Sequence, residues 1–239
     1  KLERGIKQRT RALNAFLVDV YGRGEIIRAG RIPARLVYQN EAYEKAVSGF
    51  VPPKGVYSHI VGVDIVRTGP DEFFVLEDNC RTPSGVSYML ESREIMMRMF
   101  PDLFRENRIE PVDNYSEKLR RTLASVAPAK CKGEPVVVIL TPGHFNSAYY
   151  EHSLLADLMG VELVEGQDLF VDGEYVWMRT TEGPQRVDVI YRRIDDAFLD
   201  PLCFRPDSML GIPGLMDVYR AGGVSICSAP GAGVADDKA

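Results

Sequence analysis

Apolar residues recur at helical spacing near the start of the chain: Ile6, Leu13, Phe16, Leu17 and Val20, with Gly22 after them as a stop. This spacing predicts a helix. A second helix is expected over 41–47, with Asn40 as N-cap and Gly49 past its end. Two β-rich runs follow, 57–67 and 72–79, separated by the turn-forming Thr68-Gly69-Pro70-Asp71. The pattern turns helical again over 93–104. A polar connector, 107–135, holds one expected helix at 116–126. The second half then alternates: expected strands at 136–140, 161–164, 187–191 and 224–227, and expected helices at 147–159 and 215–220. Runs at 169–171 and 175–178 flank Asp172-Gly173, a favoured hairpin dipeptide. Strands alternating with helices imply a parallel sheet covered by helices, hence an α/β fold with a small doubly wound second half.

Composition narrows the function classes. The chain has 239 residues, is 45% hydrophobic and carries a net charge of −5, which excludes collagen-like and low-complexity readings and gives no overall nucleic-acid footprint. Residues 1–35 are locally basic, but those charges read as a solvated helix face. No apolar run is long enough to span a bilayer. Cys80, Cys131, Cys203 and Cys227 are far apart and form no CxxC pair, so a disulfide framework or zinc site is not expected and a cytoplasmic setting fits. No internal repeat is visible, and no Ser–His–Asp or Cys–His arrangement stands out.

The chemistry concentrates in Asp64-Ile65-Val66-Arg67, the turn, and Val75-Leu76-Glu77-Asp78-Asn79-Cys80-Arg81-Thr82-Pro83-Ser84-Gly85. Strand side chains alternate, so Glu77 and Asn79 share a face and Asp78 takes the other. A four-residue hairpin loop would set Arg67 opposite Glu72 and Asp64 opposite Val75, placing Asp64 on the face of Glu77 and Asn79. A one-residue slip would send it to the other face. Two carboxylates and an amide oxygen suit a hard divalent cation such as Mg²⁺. An exposed polar sheet face is the alternative.

Glu77-Asp78-Asn79 with Arg81-Thr82-Pro83-Ser84-Gly85 after it and Asp64 upstream resembles the metal-binding strands of the ATP-grasp superfamily. The closer resemblance is to circularly permuted ATP-grasp proteins related to glutathionylspermidine synthase. Leu140-Thr141-Pro142-Gly143, Asn146-Ser147-Ala148-Tyr149, Glu151-His152, Tyr191-Arg192-Arg193-Ile194-Asp195-Asp196 and the run Gly231 to Lys238 continue that resemblance in order. It implies a partial ATP-grasp part, antiparallel metal-binding strands plus helices over 1–133, followed by a Rossmann-like pre-ATP-grasp domain over 134–239. By resemblance, Asp64, Glu77 and Asn79 are Mg²⁺ ligands, and Ser84, Gly85 and Lys238 are nucleotide-binding. Arg67 and Arg81 are the nearest cations for phosphate or a developing acyl phosphate. Two positions depart from the pattern: Gly62 stands where an Arg is expected, and Ser228 where an Asn is expected.

Other candidates keep two readings open. Arg192, Arg193, Asp195 and Asp196 follow an expected buried strand and could hold a charged, peptide-like substrate or form an exposed salt-bridge network. The stretch from Thr141 to Asn146 opens a helix, so it could hold an anion or be a capped turn. Cys80 has no activating neighbour in sequence and reads as a spectator. The implied function is an ATP- and Mg²⁺-dependent carboxylate–amine ligase acting through an acyl phosphate on small-molecule or peptide-like substrates, without nucleic-acid or membrane partners. The alternatives are a non-catalytic binding or scaffold protein of the same fold and, more weakly, a small-molecule transferase using the second half alone. The motif order adds the expectation that the chain is a piece of a longer ligase, inactive alone.

Overall fold

The computed structural model describes residues 1–238. The first half opens with helix α1 (Leu2–Tyr21), which ends at Gly22 as its period requires. Two short helices, α2 (Glu25–Arg28) and α3 (Ala34–Tyr38), lead to a 3-10 turn at Lys45–Val47 in place of the helix expected over 41–47. The reason lies in Asn40, whose side-chain oxygen takes the Ala42 N–H at 2.8 Å and closes a local turn. Strands β1 (Gly62–Gly69) and β2 (Glu72–Asn79) form an antiparallel hairpin, followed by α4 (Val86–Met99), α5 (Pro101–Glu106) and α6 (Tyr115–Ala124).

The second half is built on strand β3 (Val137–Leu140), helix α7 (Tyr149–Met159) and strand β4 (Glu162–Val164). A small antiparallel sheet of β5 (Leu169–Asp172), β6 (Tyr175–Met178) and β7 (Gln185–Val187) follows. Strand β8 (Val189–Arg192), helix α8 (Leu215–Arg220) and strand β9 (Ser225–Cys227) follow, and a 3-10 turn at Ala232–Asp236 is the last described element. The main sheet is four-stranded and wholly parallel, in the order β4-β3-β8-β9. The run expected as one strand over 187–191 is divided at Asp188: Val187 pairs with Val176 in the small sheet, and Val189 pairs with Val137 in the large one.

Strand alternation explains how this sheet is covered. Val137, Ile139, Val189, Tyr191 and Cys227 face one core with Leu119 and Leu123 of α6 and Leu155 of α7. Val138, Leu140, Ile190 and Ile226 face the other, with Leu215 and Tyr219 of α8 and Leu17, Val20 and Tyr21 of α1. The N-terminal helix therefore shares a core with the second half. Tyr21 fixes this junction. Its hydroxyl donates to the Gly231 carbonyl at 3.1 Å, and a Cβ on Gly231 would come within 2.4 Å of that hydroxyl, at a φ of +87°. Among the described residues no helix is long and apolar enough to cross a membrane.

Candidate functional site

The hairpin sets its carboxylates by a register the sequence did not reveal. The turn is Pro70-Asp71, closed by Gly69 opposite Glu72, and the pairing is irregular after Asp64 and after Arg67. Asp64 consequently faces Glu77 rather than Val75, and Arg67 faces Phe73 rather than Glu72. Leu76 and Thr68 are the residues left without a partner. The displacement at Asp64 is two residues, which preserves parity. Asn79 pairs with Gly62, so Asp64, Glu77 and Asn79 lie on one face of the hairpin. Asp78 points the other way, is 8% exposed and receives Arg9 of α1 in a forked pair, with Nε 2.8 Å from both oxygens and Nη2 2.6 Å from Oδ2.

The Lys238 ammonium lies 2.5 Å from Glu77 Oε2. Its pKa is raised first by that hydrogen bond and also by the charge of Asp64, so both carboxylates act on a cation at this face. Two carboxylate side chains and one amide fit Mg²⁺, with remaining positions for phosphate and water. Among the described residues no three His, Cys, Asp or Glu side chains cluster as a metal site.

Beyond β2 the loop 80–85 is held at its backbone by the second half. Asp236 accepts the N–H of Cys80 and, at 3.3 Å, that of Arg81. Arg193 Nη2 donates to the Pro83 carbonyl at 2.8 Å. Glu151 Oε2 accepts the N–H groups of Gly85 at 2.7 Å and Ser87 at 3.1 Å, capping the start of α4, while Oε1 pairs with Arg193 at 3.2 Å. Burial raises the Asp236 carboxyl, opposed by the N–H groups it accepts. Cys80 is buried in this loop with its thiol pushed up to about 12, first by burial and then by Asp236. Such a thiol stays protonated at neutral pH.

The structure distributes the expected site residues unevenly. Ser84, Asn146, Arg193 and Asp195, from three separate stretches, line one cavity of about 240 Å³ beside Thr82 and His152. Arg81 reaches its rim, with Nη1 3.4 Å from Asp195 Oδ1. Gly85 is the residue before α4, capped by Glu151. Arg67 is not brought to the carboxylates: it folds onto its own turn, donating to the Gly69 and Pro70 carbonyls at 3.0 Å each. Arg192 is revised from a substrate ligand to a buried brace. It is 0% exposed, bonded to the Ser228 and Ile194 carbonyls at 2.9 and 2.8 Å and paired with Asp196 at 2.6 Å. Four larger clefts, of about 440, 410, 380 and 290 Å³, contain none of these residues.

Two features were quoted in sequence without a role. Glu151 is the carboxylate that joins α4, Arg193 and α7. His152 is buried, with Nδ1 2.9 Å from Thr141 Oγ1, and burial followed by the Arg193 charge lowers it to about 4. Both departures from the expected pattern are also located. A Cβ on Gly62 would sit 3.2 Å from Pro83 Cβ, so the loop occupies the space an Arg would enter. Ser228 Oγ is buried without a hydrogen-bond partner.

Residues 1–239 match the model of a family described as a circularly permuted ATP-grasp. An uncharacterized protein of Synechocystis sp. is 56% identical over 237 residues, covering 99% of this chain and 49% of the relative. An uncharacterized protein of Mycobacterium tuberculosis is 56% identical over 238 residues, covering 100% of this chain and 43% of the relative. A Frankia casuarinae protein named "Putative glutamate--cysteine ligase 2-2" is 41% identical over 239 residues, with 27% of its length matched. The chain thus spans about half the length of the first two relatives and about a quarter of the third. The chain belongs to the circularly permuted ATP-grasp family.

Proposed function

We propose that this member of the circularly permuted ATP-grasp family carries the metal face and a substrate pocket of an ATP- and Mg²⁺-dependent carboxylate–amine ligase. The observation that carries the reading is the shared face of Asp64, Glu77 and Asn79, where the Lys238 ammonium pairs with Glu77. In this reading Asp64, Glu77 and Asn79 would hold Mg²⁺. Bound Mg–ATP supplies an activated phosphoryl group whose charge the metal offsets. Lys238 would exchange its carboxylate partner for phosphate, and Ser84 and Gly85 would help hold the nucleotide. Arg81, at the rim of the substrate pocket, would balance negative charge on a phosphorylated carboxylate. The substrate carboxylate would take the γ-phosphoryl group as ADP leaves with the P–O bonding pair; a neutral amine would then attack the acyl carbon and lose a proton to solvent, and phosphate would leave with the C–O bonding pair. The parallel sheet supports reading the second half as the Rossmann-like pre-ATP-grasp part, with its strand ends facing the pocket.

The test is Mg–ATP binding and nucleotide consumption by the full-length polypeptide. Glu77→Gln should weaken Mg–ATP binding about tenfold or more, because one anionic ligand becomes neutral. Unchanged binding in that variant overturns the metal assignment. The second reading, a binding or scaffold protein of the same fold, draws on Gly62 and Ser228, which stand where the resemblance expects larger side chains. It predicts no Mg–ATP binding by the full-length wild type.

A further inference from the structure

The 240 Å³ cavity has a composition that the metal face does not explain. It lies between the loop 82–84 and the carboxyl ends of β3 and β8. One wall donates. Helix α7, of 11 residues, begins there, with its N-cap Ala148 and nearby Asn146 in the lining. Asn146 Oδ1 accepts the Ala148 N–H at 2.9 Å, which leaves the side-chain NH₂ as its free hydrogen-bonding group. Arg193 lines the same space with a side chain 2% exposed and an Nε that has no hydrogen-bond partner. A helix start, an amide NH₂ and an incompletely satisfied buried guanidinium favour a carboxylate.

The rim bears the opposite sign. The Asp195 side chain is 50% exposed, and its pair with Arg81 is long, at 3.4 Å, with Arg81 38% exposed. A pair so open to solvent is weak and readily exchanged for a ligand ammonium. The remaining charges nearly cancel: Glu151 offsets Arg193, and burial holds His152 neutral across physiological pH. The cavity therefore offers a donor wall and one acceptor carboxylate with little net charge. Pro142, Ile194, Phe198 and Leu210 supply an apolar side. Its volume falls below the roughly 300–1,000 Å³ of pockets for drug-sized ligands.

We propose that this cavity is the subsite for a free amino acid bound as a zwitterion, its carboxylate toward Asn146 and Arg193 and its ammonium on Asp195. Naming it a substrate rests on the ligase reading; the binding itself does not. The probes are an isosteric set: L-alanine with both charges, L-alaninamide with only the ammonium, and propionate with only the carboxylate. Each is titrated into the isotopically labelled chain and followed by NMR. L-alanine should give saturable shifts at Asn146, His152 and Asp195, with affinity at least about tenfold above either single-charge probe. Asp195→Asn should reduce L-alanine to the level of propionate and leave propionate unchanged. Asn146→Ala should weaken propionate and L-alanine but not L-alaninamide. Equal affinity for L-alanine and either analogue overturns the proposal, as does the absence of shifts at the cavity or indifference of L-alanine to Asp195→Asn. Mg–ATP binding is measured in parallel. L-alanine binding without nucleotide binding would leave the subsite standing and remove the ligase reading; the reverse would remove only the subsite.

Discussion

Two groups of charged residues lie at strand ends in this chain, and they are held in opposite ways. On the hairpin, Glu77 is 24% exposed and its partner Lys238 is 76% exposed, so the pair stands in water with one contact. At the ends of β8 and α7, Arg192, Arg193, Glu151 and Asp196 are at most 4% exposed and bonded to backbone on several sides. The same residue types therefore serve two ends. Water around the hairpin pair lets a cation exchange there at low cost. The low-polarity interior makes the second group unable to lose a partner without leaving a stranded charge.

Substitutions can break this contrast, and the largest effect is expected at Arg192. Arg192→Ala strands the Asp196 carboxylate and unpairs the Ser228 and Ile194 carbonyls, so about 3–5 kcal/mol of stability should be lost in urea denaturation. A loss under about 1 kcal/mol would mean that water reaches this cluster.

Acid titration probes the same interior. His59 and His152 are each lowered to about 4 from 6.5 by burial, so both stay neutral in the folded chain while the unfolded chain takes up protons. Their contribution to stability is present above 6.5 and is lost as pH falls through 4. Glu44 acts in the opposite sense. Burial first, then Asp196, raises it from 4.5 to about 7, so it contributes stability below 4.5 that is lost as pH rises through 7. Asp236, raised by burial, acts in the same sense as Glu44. Glu44→Gln should therefore steepen the loss of stability on acidification by up to about 1 kcal/mol per pH unit between the two limits. An unchanged slope in denaturation series at several pH values would show that Glu44 is ionised in the folded chain.

Arg9→Ala sharpens the comparison at an intermediate point, because Asp78 is buried while Arg9 is 42% exposed. Solvent screening reduces the expected cost to about 1 kcal/mol, visible as a shift in the denaturation midpoint. Glu77→Gln is the smallest in stability. It should change folding by less than about 0.5 kcal/mol while it weakens Mg–ATP binding, and that separation of stability from binding is what the exposed hairpin face requires.

How much of this could be read in advance depends on the range over which each feature is encoded. Helix α1 was legible because its period is local, and the 215–220 helix because Gly222-Gly223 ends it. Helices α2 and α3, of four and five residues, are too short to show a period. The shared face of Asp64, Glu77 and Asn79 was legible through parity, although two irregularities made the register itself wrong. Adjacent Arg192 and Arg193 could not be told apart, since every residue of β8 is buried and alternation there separates two cores rather than core from solvent. Glu151 and Asp236 lay in motifs the sequence offered, but their roles could not be read because their partners lie 66 and 156 positions away.

The loop 80–85 has a consequence for how such sequences can drift. Its backbone partners are Asp236, Arg193 and Glu151, all supplied from distant segments. Its order is therefore borrowed. In a lineage that keeps every residue from Asp64 to Gly85 but changes one of those three, the motif would read as intact while the loop lost its shape. Inheritance of the site is written outside the motif that advertises it.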